Sequence, residues 1–78
     1  RKSECHFFNG TQRIHYLDRH FFDRKELFYF DSDRGKFVAV AELGEPIVKR
    51  LNQDKDILRR QMADVDRLCR NNYGLAEP

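Results

Sequence analysis

The sequence predicts an α+β domain: a four-stranded antiparallel sheet covered on one face by a kinked C-terminal helix. Three observations carry this. All seven Phe residues fall by position 37, whereas the stretch from Asp54 to Leu68 is rich in Arg, Asp, Leu and Gln. Turn-forming clusters at Asn9-Gly10, Asp23-Arg24-Lys25 and Asp31-Ser32-Asp33-Arg34-Gly35 cut the aromatic half into segments of strand length. Leu58, Met62, Val65 and Cys69 recur at helical spacing in the charged half.

Glu4 to Phe8 reads as a first strand ended by the Asn9-Gly10 turn, Arg13 to Phe22 as a longer second, Glu26 to Phe30 as a third and Lys36 to Ala41 as a fourth. The short connections suit a meander in which sequential strands pair. Gly44-Glu45-Pro46 breaks the strand pattern, and proline suits the first turn of a helix. A short helix from Pro46 to Leu51 then precedes a longer one from Asp54 to Leu68, because Asn52-Gln53-Asp54 favours caps and turns. The Leu58, Met62, Val65 and Cys69 stripe is expected to face the sheet, flanked by Ile57, Arg60, Gln61, Asp64 and Leu68.

Cys5 and Cys69 almost bracket the 78 residues. If they pair, the bond ties the late helix to the first strand. Arg1, Ser3 and Phe7 then share the helix-covered side with Cys5, while Lys2, Glu4, His6 and Phe8 point away. A domain of this size has room for one small core, near the length at which a covalent staple or a partner supplements burial. An even cysteine count without CxxC argues against zinc and for an oxidising compartment. The sequon Asn9-Gly10-Thr11, in a turn, points the same way and makes Asn9 a candidate glycosylation site.

Charge is abundant but balanced, 15 Lys plus Arg against 13 Asp plus Glu, which leaves no strong field for a nucleic acid. Lys49-Arg50 and Arg59-Arg60 interleave with Asp54, Asp56, Asp64 and Asp66 as a solvated helix face does. No apolar run reaches membrane-spanning length. His6, His15 and His20 lack ligand spacing with an acid or thiol, and Ser3 and Ser32 have no histidine motif nearby. Neither catalysis, nor a metal, nor a cofactor is expected. A sheet with one helix on it is half of a two-layer structure, so a second chain is expected to complete it. Asn72, just past Cys69, offers an amide to an extended peptide main chain or caps the helix.

Glu4-Cys5-His6-Phe7-Phe8-Asn9-Gly10-Thr11, Phe30-Asp31-Ser32-Asp33, Glu42-Leu43-Gly44 with Pro46, and Cys69-Arg70 with Asn72-Tyr73-Gly74 together resemble the membrane-distal first domain of a class II major histocompatibility complex beta chain. The resemblance covers residues 1–78 as one domain, with the start of the first strand and a following immunoglobulin-like domain outside it. It implies pairing with a class II alpha chain to build an eight-stranded floor under two helices, which hold an antigenic peptide for T-cell receptors. It also implies a protein of the cell surface and endosomal or lysosomal membranes, attached only through parts absent from this chain.

The same resemblance places Arg1, Ser3, Tyr16, Asp18, His20, Leu27 and Phe37 on the groove floor. From the helix it adds Ile47, Arg50, Leu51, Ile57, Arg60, Gln61, Asp64, Leu68, Asn71 and Asn72, with Leu75 and Ala76 near the first anchor pocket. Four positions depart from the family pattern. Leu51 stands where a Trp usually donates to the peptide main chain, and Asn71 where a His does so. Ile47 replaces an Asp that pairs with an alpha-chain Arg in many members, and Arg50 replaces a Tyr. These departures leave open a nonclassical member that acts as chaperone, receptor ligand or non-peptide binder.

Overall fold

The computed structural model describes residues 1–8 and 13–70. Four strands, β1 (Lys2–Phe8), β2 (Arg13–Phe22), β3 (Lys25–Asp31) and β4 (Lys36–Ala39), form an antiparallel sheet in the order β1-β2-β3-β4. The expected meander is therefore present, with β1 starting at Lys2 rather than Glu4.

Pairing across β1 and β2 sets Ser3 against Asp18, Cys5 against Tyr16 and Phe7 against Ile14. Since paired residues share a face, these lie on the helix side and Glu4, His6, His15 and Arg19 on the other. The β2–β3 turn is closed by Asp23 and Arg24, with φ of 53° and 67°. Positive φ at both central residues of a two-residue hairpin matches the right-handed strand twist. Further along, His20 pairs with Phe28 but Phe21 with Glu26, so Leu27 is an extra residue that bulges β3. The β3–β4 turn is built on Asp31: its carbonyl accepts from the Arg34 and Gly35 amides and its carboxylate from the Asp33 amide.

Strand β4 stops at Ala39, short of the expected Ala41. The Val40 amide still makes the in-register bond to the Leu27 carbonyl at 2.9 Å, but the Ala41 amide turns back to the same carbonyl at 3.2 Å, which ends the regular ladder. A single 3-10 turn (Glu42–Gly44) follows, and then helix α1 (Glu45–Asn52) with Pro46 in its first turn. Helix α2 (Lys55–Asp64) begins at Asp54, whose carboxylate accepts from the Asp56 and Ile57 amides, and the kink lies where the sequence placed it. A π-helical segment (Val65–Arg70) continues α2 and carries Cys69 onto the sheet.

The core comprises Ile14, Tyr16, Phe28, Phe30, Phe37, Val65 and Cys69, with Leu51, Ile57, Leu58 and Leu68 packed against it. Phe37 meets Phe28 and Phe30 edge-on, with ring centroids 5.9 and 5.2 Å apart. Cys5 and Cys69 are bonded, with Cα atoms 5.7 Å apart, which fastens the π segment to β1. One member of the expected stripe is misplaced: Met62 is 43% exposed. Gln61, its neighbour, is tied down to the sheet, so the α2 face presents Leu58, Gln61 and Val65 inward and turns Met62 out.

Candidate functional site

Asp18 is fully buried on the helix-facing side of the sheet and organises the floor around it. Arg1 donates through Nε and Nη2 to the two carboxylate oxygens, at 3.0 and 3.1 Å. Gln61 Nε2 reaches down from α2 to Oδ2 at 3.1 Å, and His20 Nε2 lies 3.3 Å from the same oxygen. Ser3 Oγ donates more weakly to Oδ1 at 3.4 Å. Burial would raise the Asp18 carboxyl, but the hydrogen bonds from Arg1 and Gln61 and the charges of His20 and Arg1 outweigh it and hold the group below its ordinary value. It is a satisfied, ionised hub in the floor. Burial, reinforced by the charges of Asp18 and Asp64, pushes the neighbouring Tyr16 phenol up.

One hollow adjoins this hub and another lies along α1. The larger, about 560 Å³, opens between β1 and α2 and is lined by Arg1, Ile57, Arg60, Gln61, Asp64 and Arg67. A second, about 350 Å³, lies beside α1 against Pro46, Ile47, Arg50 and Leu51. The Tyr16 hydroxyl and the Gln61 side-chain carbonyl are buried and unpartnered among the described residues.

The structure thus gathers Arg1, Ser3, Asp18, His20 and Gln61 into direct contact and lines the hollow beside them with Ile57, Arg60 and Asp64. Ile47, Arg50 and Leu51 sit together at the other end. Tyr16 and Phe37 belong to the core, and Leu27 and Leu68 pack against it. His20 stacks on Phe28, centroids 4.6 Å apart. Asn9, Asn71, Asn72, Leu75 and Ala76 lie outside the described residues.

Sequence reasoning missed Arg67, which lines the larger hollow and donates to Asp64 at 2.6 Å. Its i,i+3 spacing from Asp64 was the available signal. It also missed Asn52, whose carboxamide bonds both backbone groups of Phe37 and fixes α1 over β4.

On the opposite face, charges pair among themselves. Arg19 forks onto Glu26 through Nε and Nη2, each at 2.8 Å, and reaches Glu4 at the same distance through Nη1. These bonds raise the guanidinium, and the bonds from Arg19 and His6 lower the Glu4 carboxyl. His15 binds Asp31 at 2.8 Å and lies 3.8 Å from Asp33, which also receives Arg13 at 2.7 Å. Sequence spacing does not reveal that trio, although its ligand atoms lie within 4.8 Å of one another. Arg13 on Asp33, and the Asp33 amide on Asp31, already occupy both carboxylates.

The family described as "Class II histocompatibility antigen, beta domain" matches residues 1–77. The chain is 53% identical over 77 residues to the HLA class II histocompatibility antigen DR beta 3 chain of Homo sapiens, covering 99% of this chain and 29% of that protein. It is 49% identical over 76 residues to the DLA class II DR-1 beta chain of Canis lupus familiaris, covering 97% and 29%. Against the class II B-L beta chain of Gallus gallus it is 47% identical over 75 residues, covering 96% and 32%. The chain thus spans less than a third of these relatives' length.

Proposed function

The chain belongs to the class II histocompatibility antigen beta-domain family, and on that premise we propose that it forms half of a peptide-binding groove with a class II alpha chain and displays peptide to T-cell receptors. The observation that carries this reading is the one-sided wall. The helices run from β4, over which Asn52 fixes α1, to β1, where Cys69 is bonded, and among the described residues β1 is an edge strand of the sheet. Such a sheet can be continued by a partner's strands, and the partner's own helix would supply the facing wall.

Arg1, Ser3, Tyr16, Asp18, His20, Leu27 and Phe37 then serve as floor, and Ile47, Arg50, Leu51, Ile57, Arg60, Gln61, Asp64 and Leu68 as wall. Asn72 would bond the peptide backbone, with Asn71, Leu75 and Ala76 beyond it, and Asn9 would carry a glycan. No helix of the described residues is long and apolar enough to cross a membrane. Attachment to the cell surface or to an endosomal membrane would fall to other parts of the protein. A second reading rests on Leu51, whose aliphatic side chain packs against the core and offers no hydrogen-bond donor to a peptide. On that reading the protein is a nonclassical member acting as chaperone, receptor ligand or non-peptide binder.

Co-expression of the full-length chain with the class II alpha chain of the same animal, followed by mass spectrometry of material eluted from the purified heterodimer, tests both. Nested peptides are the expected result. Lipids, or no eluted ligand, would transfer support to the second reading.

A further inference from the structure

We propose that His15, Asp31 and Asp33 form a divalent metal site, for zinc by its donor chemistry, on the sheet face turned away from the helices. One ligand atom from each of the three lies within 4.8 Å of the others. The His15 ring stands between the two carboxylates, with Nε2 2.8 Å from Asp31 Oδ1 and Nδ1 3.8 Å from Asp33 Oδ2. Around a tetrahedral zinc with bonds of about 2.1 Å, neighbouring donor atoms stand about 3.4 Å apart, so modest side-chain rotations bring this trio onto one ion. Imidazole and carboxylate together suit zinc, whereas calcium and magnesium take oxygen ligands and gain little from the ring. Water takes the fourth position.

The fold prepares these groups. Asp31 is buried at the end of β3, where its carbonyl accepts from the Arg34 and Gly35 amides and its carboxylate from the Asp33 amide. A ligating carboxylate is ordinarily hydrogen-bonded in this way, and with about four acceptor sites it keeps room for an ion. His15 reaches it from β2, half-buried on the same face. Across the ladder His6 faces His15 with ring centroids 6.1 Å apart, but its Nε2 lies 3.2 Å from Glu4, so it is engaged with a different acid. The competing cations are weakly held. The side chains of Arg13, on Asp33, and Arg34, near Asp31, are 55% and 59% exposed. Water screens such pairs, so displacing Arg13 costs a factor of about five or less in affinity. The bound ion would tie β2 to the β3–β4 turn.

The test uses the full-length protein assembled with its class II alpha chain, stripped with a chelator and titrated calorimetrically with zinc chloride alone, with thermal unfolding followed in parallel. The parent is expected to bind one zinc ion more per heterodimer than His15→Gln. Zinc at about a hundred times its Kd should raise the unfolding temperature of the parent by more than that of this variant. Asp33→Asn keeps the backbone amide that orients Asp31 and is expected to weaken zinc by at least about tenfold. Arg13→Gln removes the competing guanidinium and should tighten zinc by up to about fivefold, a gain that loss of structure cannot mimic. His6→Gln should leave the affinity unchanged. Absence of zinc binding in the parent, binding that survives His15→Gln, binding lost in His6→Gln, or calcium bound as tightly as zinc would each overturn the inference. None of these readouts depends on a peptide, so the groove reading stands or falls separately.

Discussion

Gln61 on the helix and Asp18 on the sheet, 43 residues apart in sequence, are joined by a 3.1 Å hydrogen bond that decides which face of α2 looks down. The bond puts a buried carboxylate under helical control. It also accounts for the exposure of Met62, the next residue along, which hydrophobic spacing alone had assigned inward.

Removing that amide should therefore be felt as stability. Gln61→Ala is expected to lower the unfolding free energy of the assembled protein by about 1.5 kcal/mol, the lower end for a hydrogen bond to a charge, since Arg1, His20 and Ser3 remain on Asp18. Gln61→Glu sets a second carboxylate against the first and should cost more. Denaturant titration ranks the two. Equal stabilities for Gln61→Ala and the parent would refute the role given to this contact.

The depressed Asp18 carboxyl fixes the sign of a pH effect. A group whose folded pKa lies below its unfolded value of about 3.8 stabilises fully above that value, and the contribution is lost as pH falls through the folded pKa. The Arg1–Asp18–Gln61 cluster is thus expected to survive at about pH 5 and to weaken only below about pH 4. Unfolding measured across this range for the parent and for Asp18→Asn should give curves that converge at the acid end. A gap of constant height would show that ionisation is not the source.

Opening the Cys5–Cys69 bond, which closes a separation of 64 residues, should lower stability by about 4 kcal/mol on a chain-entropy estimate. The double variant Cys5→Ala with Cys69→Ala tests this without leaving reactive thiols. Loss is expected to be concentrated where the π segment leaves β1, so amide exchange should rise first over Val65–Arg70. Uniform acceleration across all strands would argue against a local clamp.

Gly35 and Gly44, the glycines among the described residues, contrast. A Cβ at Gly44 would collide with the carbonyl oxygen of Leu27, a backbone atom that already accepts from Val40 and Ala41. Gly44→Ala is expected to cost about 1 to 3 kcal/mol through overpacking. Gly35 has open space but a φ of +68°, so Gly35→Ala should cost about 1 kcal/mol through backbone strain alone. Thermal unfolding should order them in that sense, and the reverse order would contradict the packing argument.

Most of the architecture was legible because its signals are local. Turn residues at Asp23-Arg24 and Asp31–Gly35 bound the strands, and Asp54 marked the kink. Alternation from Cys5 assigned both faces of β1 correctly, because strand parity is fixed by geometry. What escaped depends on distant partners. The bulge at Leu27 changes the register without any Gly or Pro to announce it, and Asn52 reads as a turn residue although it serves a strand fifteen positions earlier. The helix face was shifted by a polar tether, which a count of apolar spacings cannot see. In the candidate site, Asp18, Arg1, Ser3, His20 and Gln61 were all named, but not that the other four converge on the Asp18 carboxylate, since they come from three separate segments.

The carboxamide of Asn52 accepts from the Phe37 amide and donates to the Phe37 carbonyl, so one side chain occupies the outer rim of β4 as a neighbouring strand would. The opposite rim, at β1, carries no such plug among the described residues. A sheet that is stoppered on one side and open on the other can add strands in only one direction. Where such a sheet is extended at its open rim, the side chain of Asn52 still occupies the backbone groups of Phe37 on the other, which works against continuation into a ribbon. Replacing Asn52 would therefore do more than loosen a helix: it would unstopper the closed rim and give the assembled pair a route to polymerise.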